Sequence, residues 1–362
     1  MRCLPFLLLF LPQDRAKVRD WTLIYYMSYD NNLERCGPVI TDGLEKGAKG
    51  TSLAVTILSD DTDKGGLKRI VIEGGNRTSE TLSTDNSASE TVLAEYLAWA
   101  AKSWPAKHYA VVFLDHGGRL DEMCLDQWPG EGEPKKWLSA KLAGPVLREF
   151  RKSCGGEVDL LFLQQCGRGS VENLYNFRGA AAAVMASQTV VGAPNTYYTK
   201  SLQWLAGKPK ATGAEIARQI MTDDEHYTNY VCVDGKALEE LPAKLAAVVE
   251  PLLKAPKPAA GLKACFTAEA ETNFDLLGWL GSATKESGAA GDPLAAFTKW
   301  VNGTLIVSHT KSSGGAAAAK DWCGLSLWVP SSRRVRGMYA DWPIYEKSRL
   351  PELWKALYPV VK

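Results

Sequence analysis

Val158-Asp159-Leu160-Leu161-Phe162-Leu163-Gln164-Gln165-Cys166-Gly167-Arg168-Gly169 is the stretch that decides how this chain is read. Its first six residues form an apolar run with the length of a buried strand, and the strand ends on a cysteine between polar and glycine residues. Fifty residues upstream (166 − 116 = 50), a second apolar run, Tyr109-Ala110-Val111-Val112-Phe113-Leu114, ends in Asp115-His116-Gly117-Gly118. Two buried-type strands thus deliver a thiol and an imidazole at equivalent ends, where open α/β sheets place their chemistry. A thiol is a nucleophile only as thiolate, and an imidazole is the usual base that makes it one. Taken singly, such a cysteine is ordinarily a small buried hydrophobe and such a histidine a turn residue. Together, each at a strand end and each followed by glycine, they form a candidate dyad. The glycines let main-chain N–H groups approach a developing oxyanion.

Outward from this pair the pattern alternates strand and helix. Residues 22–27, 53–58 and 67–73 read as strands, and the first ends in Ser28-Tyr29-Asp30-Asn31-Asn32. Ser87-x-x-Glu90 predicts a capping box for a helix to about Ser103, with Val92, Leu93, Tyr96, Leu97 and Ala100 on one face. Trp128 to Lys136 is rich in Gly, Pro and charge and predicts an exposed loop before a helix over 138–151. A helix over 170–177 leaves Cys166 just outside its N-terminus, where the helix dipole would favour a thiolate. A short strand over 182–186 and a loop over 187–198 follow. This alternation predicts a mainly parallel sheet with helices on both faces. Beyond residue 204 the chain turns to Ala, Lys and Leu and reads as amphipathic helices, before an apolar strand at 324–330 and a helix at 351–357. The expected division is an N-terminal segment 1–20, a catalytic region 21–204, and a mainly helical region 205–362 that returns one strand to the core.

At 362 residues the chain can bury a substantial core. With 42 basic and 41 acidic residues its net charge is +1, which gives no electrostatic case for nucleic acid or an anionic membrane. No run approaches the ~20 apolar residues of a membrane span. Met1 to Pro12 has a single arginine followed by an apolar core, as in a short signal peptide, so a secreted or periplasmic protein is expected; the plain alternative is an apolar arm. Setting aside Cys3 in that segment and a free Cys166, six cysteines (Cys36, Cys124, Cys154, Cys232, Cys265 and Cys323) would permit up to three disulfides in an exported protein. There is no Cys-x-x-Cys pair and there are four histidines, so no zinc site and no metal ligand set is expected.

The sequence resembles the clostripain family of cysteine peptidases, relatives of caspases, legumains and gingipains. Caspase-type peptidases have a similar Gln-x-Cys-x-Gly turn and a similar histidine offset. The resemblance rests on Trp21 to Glu34, Phe113 to Gly118, Cys166 with Glu172, Ala186-Ser187-Gln188, and Gly324 to Pro330. It implies a caspase-like three-layer α/β sandwich with a mainly parallel sheet. It also implies a thiol endopeptidase acting on peptide or protein substrates, expected to be monomeric. Carried over, His116 would be the general base, Cys166 the nucleophile, and the N–H groups of Gly117 and Cys166 the oxyanion hole. Some relatives use calcium, but no Asp-x-Asp-x-Asp-Gly loop is present, so no cofactor is expected. Members that cut after Arg or Lys carry Asp where this chain has Gln164, and a second acid near the position of Asn195. Gln164, Ser187 and Asn195 are therefore the candidate S1 residues, and a neutral polar P1 competes with a basic one. The uncharged pocket base predicts weak action on Arg or Lys and no complete self-cleavage after Lys135 or Lys136. Asp30 or Asp121 could replace the missing acid in space. The competing function is a catalytically silent exported binding protein on the same fold.

Overall fold

Alternate residues of the inner strands face opposite ways, and both ways are apolar. Ile24, Tyr26, Val111, Phe113, Leu161 and Leu163 enter one core cluster. Their neighbours Tyr25, Met27, Val112, Leu114, Leu160 and Phe162 enter another. A strand buried on both faces needs a cover on both faces, which is why these runs carry no polar alternation. The result is three layers: helices, sheet, helices.

The computed structural model describes residues 17–61, 66–226, 229–310, 321–330 and 332–358. The expected leader at 1–12 lies outside the described residues. In chain order the strands are β1 (Arg19–Ser28), β2 (Ala54–Asp60), β3 (Lys68–Glu73), β4 (Asn76–Thr81), β5 (Ala106–Leu114), β6 (Glu122–Asp126) and β7 (Lys136–Ser139). They continue with β8 (Glu157–Gln164), β9 (Ala183–Ala186), β10 (Val231–Asp234), β11 (Ala264–Ala268), β12 (Glu271–Asp275), β13 (Ile306–His309) and β14 (Ser326–Val329). Nine form the central sheet in the order β13-β10-β9-β8-β5-β1-β2-β3-β4. The run from β9 to β2 is parallel throughout. Antiparallel pairs close it at each edge, β3–β4 on one side and β10–β13 on the other. The sheet is thus mainly parallel, as expected. Among the described residues no helix is long and apolar enough to cross a membrane.

Several elements differ from the sequence reading. The helix Glu90–Ser103 is capped by Ser89, whose hydroxyl accepts from the Val92 N–H at 3.4 Å. Ser87 instead donates to Asp60 at 2.5 Å, so no capping box forms there. Strand β4 is exposed along its whole length, and an edge strand that buries neither face leaves no apolar signal. Strands β10 and β13 come from the stretch read as helical, because four-residue strands between helices are too short to show a period. The late strand β14 joins β12 in a three-stranded sheet with β11, and its Leu327 and Trp328 enter the main core. All seven described cysteines are free thiols, so none of the permitted disulfides among them is formed.

Candidate active site

Strands β5 and β8 are parallel neighbours with Leu114 opposite Gln164. His116 and Cys166 each lie two residues further on. The equal overhang brings the two residues to the same edge of the sheet, just past adjacent strands roughly 4.8 Å apart. Gly117 permits the approach: a Cβ there would fall against the Cys166 carbonyl oxygen and 3.1 Å from the Cys166 nitrogen. Gly167, at φ 67°, turns the chain where a side chain would enter the Phe266 ring.

His116 Nε2 lies 2.8 Å from Asn32 Oδ1. A carboxamide oxygen only accepts, so Nε2 carries the proton and Nδ1 keeps the lone pair. Half-burial holds the imidazole pKa below its ordinary value, so the ring is neutral at pH 7, the state in which it acts as a base. Asn32 is presented by the turn after β1. The neighbouring Asn31 amide pins that turn by donating to Asp115 Oδ1 at 2.9 Å and to the Leu125 carbonyl at 3.0 Å.

Burial pushes the Cys166 thiol above its ordinary value. The Val191 N–H, the Arg168 charge and the N–H groups of Gly117 and Cys166 pull it down by less. The thiol donates to the Val191 carbonyl at 3.4 Å and accepts from the Val191 N–H at 3.3 Å. Burial thus opposes the thiolate that a helix dipole was expected to favour. The helix Val171–Asn176 has six residues and starts five residues beyond Cys166, and a dipole acts over about one turn. Glu172 is fully buried and accepts from the Trp328 N–H at 3.3 Å, tying this helix to β14.

Gln164 and Asn195 meet each other inside a closed network. The Gln164 amide donates to Asn195 Oδ1 and, at 3.1 Å, to the Tyr198 hydroxyl; its oxygen accepts from Tyr197 at 2.6 Å. The Asn195 amide donates to Asp224 at 2.7 Å and to the Tyr230 hydroxyl at 2.8 Å. Asp224 is buried and also accepts from Tyr230 at 2.9 Å and from the His226 N–H at 3.2 Å. The acid next to this network is thus Asp224. Asp121 caps a helix start through Ser139 and Lys141, and Asp30 belongs to a different cluster. Ser187 directs its hydroxyl to Thr189, whose N–H reaches it at 3.1 Å. Neither Asp224 nor the three tyrosines was found from sequence, since nothing in their spacing marks them.

One group of side chains among the described residues has the donor chemistry for a hard cation: Asp30, Asp60 and Asp126, with carboxylate oxygens within 4.8 Å of one another. Burial, with neighbouring carboxylates adding to it, pushes Asp30 up to about 7 and Asp60 up to about 9. Asp30 precedes Asn32 by two residues, and its carbonyl accepts from the Gln127 N–H and its carboxylate from the Trp128 N–H at 2.8 Å.

Comparison with solved structures finds the same fold. An inactive zymogen C11 protease from Parabacteroides distasonis superposes with a TM-score of 0.72 at 18% identity, covering 92% of this chain and 99% of that one. A secreted C11 cysteine protease from Bacteroides thetaiotaomicron, in complex with an irreversible peptide inhibitor, gives 0.68 at 18% identity over the same shares. No curated protein matches the chain. The family model described as the clostripain family matches residues 25–257, well over half of the sequence and both halves of the thiol–imidazole pair. The chain belongs to the clostripain family.

Proposed function

We propose that the protein is a cysteine endopeptidase working through a Cys166–His116 dyad. The observation that carries this reading is the common register of β5 and β8, which brings the loops carrying His116 and Cys166 to one edge of the sheet, with the Gly117 and Cys166 N–H groups among those that lower the thiol pKa. His116 Nδ1 takes the thiol proton, and Sγ bonds to the scissile carbonyl carbon. The electron pair displaced onto the carbonyl oxygen is held by the N–H groups of Gly117 and Cys166. As the C–N bond breaks, His116 returns its proton to the leaving amine. A water then loses a proton to His116 and attacks the thioester; the thiolate leaves and is reprotonated. The Val191 main chain engages the thiol at rest, so substrate must displace it.

For P1 the network favours a neutral side chain. Every N–H of Gln164 and Asn195 is already used, and Asp224 is engaged by several donors. What remains is lone pairs, which suit a neutral donor and disfavour an acid. A lysine or arginine would have to pull Asp224 out of its hydrogen bonds. Self-cleavage at Lys135 or Lys136 is disfavoured further, since Lys136 opens β7, pairs with Asp126 and salt-bridges Glu133 at 2.8 Å. We place the protein outside the cytoplasm on the strength of residues 1–12 alone; N-terminal sequencing of the native protein tests that placement, and an intact Met1 in a cytoplasmic fraction would end it.

The decisive experiment is a positional-scanning fluorogenic library with wild type, Cys166→Ala and His116→Ala. Hydrolysis by wild type and its loss in both variants is expected, with neutral P1 residues leading. Hydrolysis that survives in either variant would remove the dyad. A wild type inert toward every member, whose Cys166 reacts with iodoacetamide only after denaturation, would leave the silent binding protein as the better reading.

A further inference from the structure

Arg168 is a cation with almost no exposure to water, 1% of its surface; among the described residues no carboxylate hydrogen-bonds it, although Asp121, Glu122 and Glu271 act on it through space. Among the described residues its hydrogen bonds all go to main-chain carbonyls. Nε donates to Cys166 O at 3.2 Å. Nη1 donates to Leu120 O at 3.1 Å, and Nη2 to Gly118 O at 2.8 Å and Arg119 O at 2.9 Å. Three acceptors thus belong to the loop that follows His116, and the fourth is the carbonyl of Cys166 itself. The guanidinium lies across the seam between the two loops that carry the dyad.

This placement is costly, since burying an unpaired charge is disfavoured unless its donors are satisfied. An apolar side chain would fill the same volume more cheaply. A planar fork with several donors has one use here that an apolar group lacks: it fixes the distance and angle between two segments that share no ladder beyond Leu114 and Gln164. Gly117 fits the same purpose, because a Cβ on it would lie 3.2 Å from Arg168 Nε. Arg168 therefore packs against the residue between the imidazole and the first carbonyl it holds.

We propose that Arg168 is the positioning residue of the dyad: it clamps the 118–120 loop to Cys166 and so sets the reach from His116 to the sulfur and the aim of the Gly117 N–H. The inference rests on the peptidase reading above. Arg168 touches no substrate and acts through its neighbours. Its charge has a second effect in the same place, since it is among the groups that hold the thiol pKa down. Geometry and charge can be separated by substitution. Arg168→Lys keeps the charge but loses the fork; Arg168→Gln loses the charge and part of the fork.

The test measures two quantities on wild type, Arg168→Lys and Arg168→Gln. The first is kcat and KM on the best library peptide; the second is the pH profile of Cys166 alkylation by iodoacetamide, which needs no turnover. A displacement of about 1 Å at a reacting centre costs on the order of 100-fold, so Arg168→Lys should lose that much kcat with KM within threefold. Its alkylation profile should stay near wild type, whereas that of Arg168→Gln should move to higher pH. Wild-type kcat in Arg168→Lys would overturn the clamp, and identical alkylation profiles in all three proteins would overturn the charge effect. Variants that fail to fold would overturn the clamp too, since the guanidinium would then serve the core and not the loops. A wild type inactive on every peptide refutes the peptidase reading instead, and the alkylation profiles then report on the Arg168 charge alone.

Discussion

Replacing Gly117 by alanine tests the geometry of the site with a single methyl group. The added Cβ would overlap the Cys166 carbonyl oxygen and sit 3.1 Å from the Cys166 nitrogen and 3.2 Å from Arg168 Nε. Non-bonded heavy atoms settle near ~3.5 Å, so the His and Cys loops must part by about 1 Å. The carbonyl cannot simply swing away, because Arg168 holds it at 3.2 Å. Overpacking of this kind costs roughly 1–3 kcal/mol of stability. The larger effect falls on the reaction, since the same displacement widens the His116–Cys166 approach and turns the Gly117 N–H from the sulfur: about 100-fold or more in kcat. The assay is kcat and KM on a fluorogenic peptide alongside urea unfolding of the same preparation. A folded Gly117→Ala enzyme within threefold of wild-type kcat would refute the idea that the two loops are in tight register.

Three further outcomes are expected. Asn32→Asp puts a carboxylate on His116, favours the imidazolium, and should move the acid limb of the pH–rate profile to higher pH; an unchanged limb would remove Asn32 as the imidazole's partner. Asp60 has a folded pKa of about 9, well above its unfolded value, so the folded state holds its proton more tightly and stability falls as pH rises from about 4 toward 9, by up to about 1.4 kcal/mol per pH unit for one group. Asp60→Asn should flatten that fall and be more stable than wild type at pH 8.5 but not at pH 4, and urea unfolding at both values that gave parallel differences would contradict this. Gln164→Glu places a carboxylate beside Tyr197, Tyr198 and Asn195, and should raise kcat/KM for Arg or Lys at P1 relative to neutral residues, read on the same peptide library; an unchanged ranking would mean that this network is not the S1 floor.

Much of the architecture was legible in the sequence for a definite reason. A central parallel strand is covered on both faces, so β1, β2, β5 and β8 stand out as mainly apolar runs, and residues just past such runs lie at one edge of the sheet. His116 and Cys166 were singled out that way, and Leu114 opposite Gln164 supplies the register that brings both to one edge of the sheet. Elements that bury little, such as β4, or that span four residues, such as β10 and β13, carried no such signal.

What only the tertiary structure decided is which polar groups surround His116 and Cys166. Asn32 on the imidazole, Val191 on the thiol, Arg168 across the seam, Asp224 behind Asn195 and the Asp30–Asp60–Asp126 group all join residues from separate turns. Hydrophobic periodicity reports how one element meets the core, because burial acts on every residue of a face. A hydrogen bond between two loops acts on two atoms, leaves no period in the chain, and becomes visible only when the sheet has brought those loops to the same edge.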